Sequence, residues 1–126
     1  MGCDIHVFVE QKIDNKWFSI HIEDTKDEFS DRDYFLFAKL ADVRNYYETI
    51  PLLTSNRGVP EDCNLTYKNY IQDWGVDLHS HTYYYLSELD YTLDYSKSWD
   101  RFIEHITTFS KSPDKNDIRI LIAFDN

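Results

Sequence analysis
The chain lacks the raw material for a phosphate cradle, a disulfide scaffold or a membrane span. Three Gly and three Pro in 126 residues leave no glycine-rich loop, and neither a Walker nor a Rossmann pattern occurs. Two cysteines, Cys3 and Cys63, are too few for a disulfide framework or a zinc knuckle. No apolar run approaches the roughly 20 residues of a membrane span, and no signal peptide precedes the first strand, so a reduced, cytoplasmic protein with no membrane contact is expected. Positive charge is scarce too. Thirteen Lys and Arg against 23 Asp and Glu give a net charge of -10 at pH 7, which excludes a protein that coats a nucleic-acid polymer. That balance leaves room for a small anionic ligand held by a few local Arg residues.

What is present is aromatic and apolar. Hydrophobic residues make up 42% and aromatics 17%, enough for a packed core and too much for a disordered chain. At 126 residues a single domain, 1–126, is expected. Ile5, Val7 and Val9 alternate with Asp4, His6, Phe8 and Glu10, and Trp17 to Ile22 alternate likewise. A two-residue turn at Asp14-Asn15 then predicts a hairpin pairing Val9 with Ile20 and Val7 with Ile22. Asp4, His6 and Glu10 fall on one face of that first strand. Residues 24–33 read as a polar loop. Helices are predicted over Tyr34–Arg44, after an Asn64 cap with a stripe of Tyr67, Tyr70, Ile71 and Trp74 ending at Gly75, and from a cap near Ser98 through Phe109. Ile118 to Asp125 is apolar on both sides through its middle, the mark of a central strand. The expectation is an α+β domain: a largely antiparallel sheet, built from the N-terminal hairpin and the C-terminal strand, packed with about three helices.

Three constellations could carry chemistry. In Asp77-Leu78-His79-Ser80-His81-Thr82, two His at i, i+2 on an extended segment point the same way, with an acid nearby, a set that suits Zn, Mn or Fe. The string resembles the opening motif of PHP-type metal phosphoesterases, but those are much larger barrels and need further His and Asp motifs that this chain lacks. No metal and no cofactor are therefore assigned. Asp4-Ile5-His6 sets a carboxylate beside an imidazole that could act as acid, base or ligand. Cys3, beside an acid and with no cation next to it in sequence, is not expected to ionise readily. Arg32, Arg44 and Arg57 lie within 26 consecutive residues of an acidic chain, where guanidinium groups can grip phosphate in fork geometry. Each Arg alone would as readily pair with a surface acid.

The opening Met1-Gly2-Cys3-Asp4-Ile5-His6 resembles the start of a family of small phage and prophage proteins. The likeness continues through Arg32 to Phe37, Leu40 to Asn45, Arg57 to Asp62, Trp74 to Leu89 with Asp77-x-His79-Ser80, and the closing Phe124-Asp125-Asn126. Its polar positions are Asp4, His6, Arg32, Arg44, Arg57, Asp77, His79 and Ser80. The resemblance implies a counter-defence protein acting on nucleotide immune signals, such as cyclic oligonucleotides or cyclic ADP-ribose isomers, in the cytoplasm of an infected bacterial host. The leading expectation is an oligomeric sponge that binds and sequesters such a ligand. Arg32, Arg44 and Arg57 would hold phosphates, His6, His79 and Ser80 would donate hydrogen bonds, and Tyr or Trp side chains would stack on bases, with Asp4 and Asp77 also in the ligand-binding set and a homo-oligomer completing the pocket. The alternative is a phosphoesterase, His-based or metal-dependent, with His6 and His79 as acid and base. A third class is an acidic inhibitor that mimics nucleic acid, whose binding would collapse with salt.

Overall fold
The last strand dictates the architecture. A segment apolar on both sides must be covered on both sides, and it lies in the interior of the sheet. The computed structural model describes residues 2–20, 34–45, 54–89, 97–109 and 114–125. It contains strands β1 (Asp4–Ile13), β2 (Lys16–Ile20), β3 (Leu78–Tyr85) and β4 (Ile118–Asp125), and helices α1 (Tyr34–Ala41), α2 (Leu65–Trp74) and α3 (Lys97–Phe109). The strands form one antiparallel sheet in the order β2-β1-β4-β3. In β4 every residue from Ile118 to Phe124 is buried.

The two faces carry separate cores. On one, Val9, Ile120, Ile122, Phe124 and Tyr84 pack with Leu36, Phe37 and Leu40 of α1 and Trp99, Phe102 and Ile106 of α3. On the other, Leu121, Phe8 and Tyr83 meet Tyr67 and Ile71 of α2, with Cys63 and Val59. The register sorts the side chains: Ile5, Val7 and Val9 oppose Phe124, Ile122 and Ile120, whereas His6, Phe8 and Glu10 oppose Ala123, Leu121 and Arg119.

The hairpin forms as its sequence dictates. Val9 pairs with Ile20, and Asp14 and Asn15 adopt φ of 51° and 65°, the double positive φ of a type I′ turn. The Val7–Ile22 pairing and the 24–33 loop lie outside the described residues. Helix α1 stops at Ala41, short of the expected Arg44, because Asp42 (φ 60°) takes the left-handed position and donates its N–H to the Ala38 carbonyl at 2.9 Å. Helix α3 starts at Lys97, a residue ahead of the expected cap near Ser98. Helix α2 follows expectation: the Asn64 side chain accepts from the Tyr67 N–H at 2.9 Å, and Gly75 ends the helix.

Gly75 has φ 62° and ψ -134°, a region nearly closed to residues with a Cβ. An added Cβ would meet nothing within 4 Å, so the cost of one is purely that of the backbone. Gly75→Ala should therefore lower the unfolding free energy by about 1–3 kcal/mol, as measured by urea denaturation. A loss near zero would show that the turn after α2 is free to rearrange.

Candidate functional site
The second face concentrates the polar groups, since β1 turns His6 and Glu10 toward α2 and β4 turns Arg119 and Asp125 the same way. Two assemblies result.

The first is a buried ion network. Glu10 is 0% exposed and Arg119 2%. Arg119 Nε donates to Glu10 Oε1 at 2.5 Å, and Arg119 Nη1 bonds Asp62 Oδ1 at 2.9 Å. Glu10 Oε2 accepts two more bonds, from the Asn64 backbone N–H and its Nδ2, both at 2.7 Å. The Arg119 guanidinium also lies 4.0 Å over the Trp17 ring, a cation–π contact on the hairpin side. This network ties β1, β4 and the start of α2 together. Removing one partner strands a charge in the interior, so Arg119→Met should cost about 3–5 kcal/mol of stability. Adding Glu10→Gln should recover part of that loss, and denaturant melts of the single and double variants measure both. A double variant as unstable as the sum of the two singles would contradict the pairing.

The second assembly centres on His6. Its Nδ1 lies 2.5 Å from the Tyr70 hydroxyl, and its Nε2 bonds Asp125 Oδ2. A carboxylate only accepts, so Nε2 carries the proton; in the neutral imidazole Nδ1 is then an acceptor and the Tyr70 O–H donates to it. The Trp74 indole meets the imidazole edge-to-face, 4.8 Å between centroids, and Phe8 packs on Tyr70 at 4.6 Å. The His6 and Asp125 side chains keep 13% and 21% exposure, and Trp74 keeps 37%. Burial raises the Tyr70 phenol above its ordinary range, the Trp74 indole N–H pulls the other way, and Asp125 adds to the rise. Tyr70 therefore stays protonated near neutrality and ionises only with a base at hand. His6 is that base by position.

The sequence candidates divide by place. Asp4 (exposed), Asp125 and Leu78 form one row across β1, β4 and β3, and Ile5, Phe124 and His79 form the next. Asp4, His6, Asp77, His79 and Ser80 thus gather at one end of the sheet. Arg44 is near that end, with its guanidinium 5.5 Å over Tyr34, whose hydroxyl accepts from the Cys3 N–H at 3.2 Å. Burial lifts the Cys3 thiol above its ordinary range, and Arg44 beside it only partly offsets this. The cation missing from the neighbouring sequence is thus supplied through space, without making Cys3 a thiolate.

Other expected groupings do not form. His79 pairs with Phe124 on the α1/α3 face, its ring 6.5 Å from that of Phe124, whereas His6 faces α2. The two imidazoles therefore do not share a pocket as an acid–base pair. A bulge between His79 and Thr82, with Ser80 at φ 57°, also breaks the i, i+2 alternation expected of His79 and His81. Ser80 Oγ lies 2.9 Å from His79 Nδ1. Arg57 lies along the outer edge of β3. Its backbone N–H donates to Thr82 Oγ1, Nη1 donates to the Tyr83 carbonyl at 3.0 Å, and both Nη atoms grip Glu88, at 2.6 and 2.5 Å. That fork holds the Glu88 carboxyl below its usual range and neutralises the guanidinium. Arg32 lies outside the described residues; of the other two, Arg57 is taken up by Glu88 and Arg44 lies over Tyr34.

Among the described residues no group of three or more His, Cys, Asp or Glu could hold a metal ion, and no helix is long and apolar enough to cross a membrane. By sequence pattern alone Tyr70 and Trp74 belong to a helical core stripe, and Asp125 and Arg119 to the last strand. Only the shared face of Asp4, His6 and Glu10 hinted at either assembly. Compared with family models, curated proteins and solved structures, the chain matches none.

Proposed function
We propose that the protein is a phage-type counter-defence phosphoesterase that takes a small cyclic nucleotide signal at the Asp4–His6–Asp125 end of the sheet. One observation carries the reading: His6 is held by both ring nitrogens, against Asp125 and Tyr70, and remains partly open to solvent. A carboxylate that fixes the tautomer and stabilises the imidazolium is the arrangement proton transfer needs. The nucleotide class comes from the family resemblance and from the neighbouring groups. The half-exposed Trp74 ring offers a stacking surface for a base, worth roughly 1–3 kcal/mol.

Sequestration without cleavage is the second reading. It would draw its affinity from several guanidinium groups, and Arg57 is committed to Glu88. A second copy of the chain covering this end would serve either reading by closing the pocket.

The test is to incubate the protein with a panel of cyclic dinucleotides and cyclic ADP-ribose isomers, denature it, and separate the nucleotides by chromatography. One member of the panel should be opened to a linear product, with turnover lost in His6→Gln. Trp74→Ala should weaken binding about ten-fold or more. Ligand bound but recovered intact would replace cleavage by sequestration. A panel left unbound would remove both.

A further inference from the structure
From the same geometry we infer that Tyr70 is the nucleophile of this site, attacking phosphorus to form a covalent phosphotyrosyl intermediate. This rests on the phosphoesterase reading for its natural substrate. The argument starts from what His6 can reach. Its Nε2 proton is committed to Asp125, and its one remaining lone pair, on Nδ1, is 2.5 Å from the Tyr70 hydroxyl. The proton His6 is placed to accept is therefore the phenol's. An orienting carboxylate, a base and a hydroxyl in line are the geometry of an activated nucleophile, here with tyrosine in the place more often held by serine. The chain of three is assembled from β4, β1 and α2, and Tyr70 stands only partly buried at its outer end. Phe8 and Trp74 flank the phenol and hold its ring.

The chemistry balances without any co-reactant beyond water. Tyr70 Oη forms a bond to phosphorus as the bond from phosphorus to a ribose oxygen breaks. The phenol proton passes to His6 Nδ1 and from there to the departing alkoxide. Water then attacks the phosphotyrosyl phosphorus and gives its proton to His6, and the Tyr70–phosphorus bond breaks. The phenolate takes that proton back. The net reaction opens a cyclic phosphodiester to a terminal phosphomonoester and a free hydroxyl. Asp125 is a positioning residue: it fixes the tautomer and offsets the imidazolium.

Diisopropyl fluorophosphate, a neutral phosphoryl fluoride, probes the nucleophile directly. Its phosphorus bonds to the attacking oxygen, fluoride departs, and the probe needs no nucleotide recognition. Peptide mapping after brief exposure should find the diisopropylphosphoryl group on Tyr70, gained at least ten-fold faster than on any other of the ten tyrosines. In His6→Gln that advantage should vanish, with thermal melts showing the variant folded. If that variant does not fold, the map of the unaltered protein decides alone. No preference for Tyr70, or an equal preference in folded His6→Gln, overturns the inference. The nucleotide panel separates it from the reading it rests on. Label on Tyr70 with no nucleotide opened keeps the nucleophile and sinks the phosphoesterase. Nucleotide opened by Tyr70→Phe at the full rate keeps the phosphoesterase and sinks the nucleophile.

Discussion
Burial of β4 on both faces is the constraint from which the rest follows. A strand between β1 and β3, with all of Ile118 to Phe124 buried, needs one layer of cover from α1 and α3 and another from α2. Apolar alternation satisfies the first layer outright. The second is mixed, because the odd-numbered residues of β4 include Arg119 and Asp125. Each charge drawn under α2 must find a partner there, since an unpaired buried charge costs several kcal/mol. Arg119 finds Glu10 and Asp62, and Asp125 finds His6.

Those two pairings also decide where α2 lies. Glu10 accepts both Asn64 donors, and the Asn64 side chain accepts from Tyr67, so the helix start is clamped to β1. From Glu10 back to His6 the strand covers about 13 Å. From Asn64 to Tyr70 and Trp74 the helix advances about 9 and 15 Å. The lengths agree, and the phenol and the indole arrive over His6. The ion network is thus a structural clamp whose consequence is felt four strand residues away, at the group best placed to move a proton.

Much of this fold was legible because it is local. Alternation in β1 and β4, the Asp14-Asn15 turn, and the Asn64 cap with its Gly75 stop each state their physics within ten residues or so. The helix end at Asp42 was missed because the polar residue that takes the left-handed position sits inside an otherwise helical stretch. The site was only half legible. His6 and Glu10 could be set on one face, but Asp125 is 119 residues from His6 and Tyr70 is 64 residues away. No periodicity links positions so far apart. Tyr70 in particular belongs to a stripe at helical spacing, where a core aromatic and a functional phenol look alike. The pairing of Arg57 was illegible for a related reason. Sequence proximity of Arg44 and Arg57 said nothing of Glu88, which lies 31 residues beyond Arg57 and holds it at the edge of β3.

The account turns on the protonation pattern of His6, which long-range nitrogen NMR correlations of the imidazole report directly. Neutral His6 should show Nε2 as the protonated nitrogen, shielded from exchange by Asp125, and Nδ1 as the bare acceptor, with that pattern disturbed in Tyr70→Phe. A ring protonated at Nδ1, or one averaging freely between tautomers and indifferent to Tyr70, would contradict it.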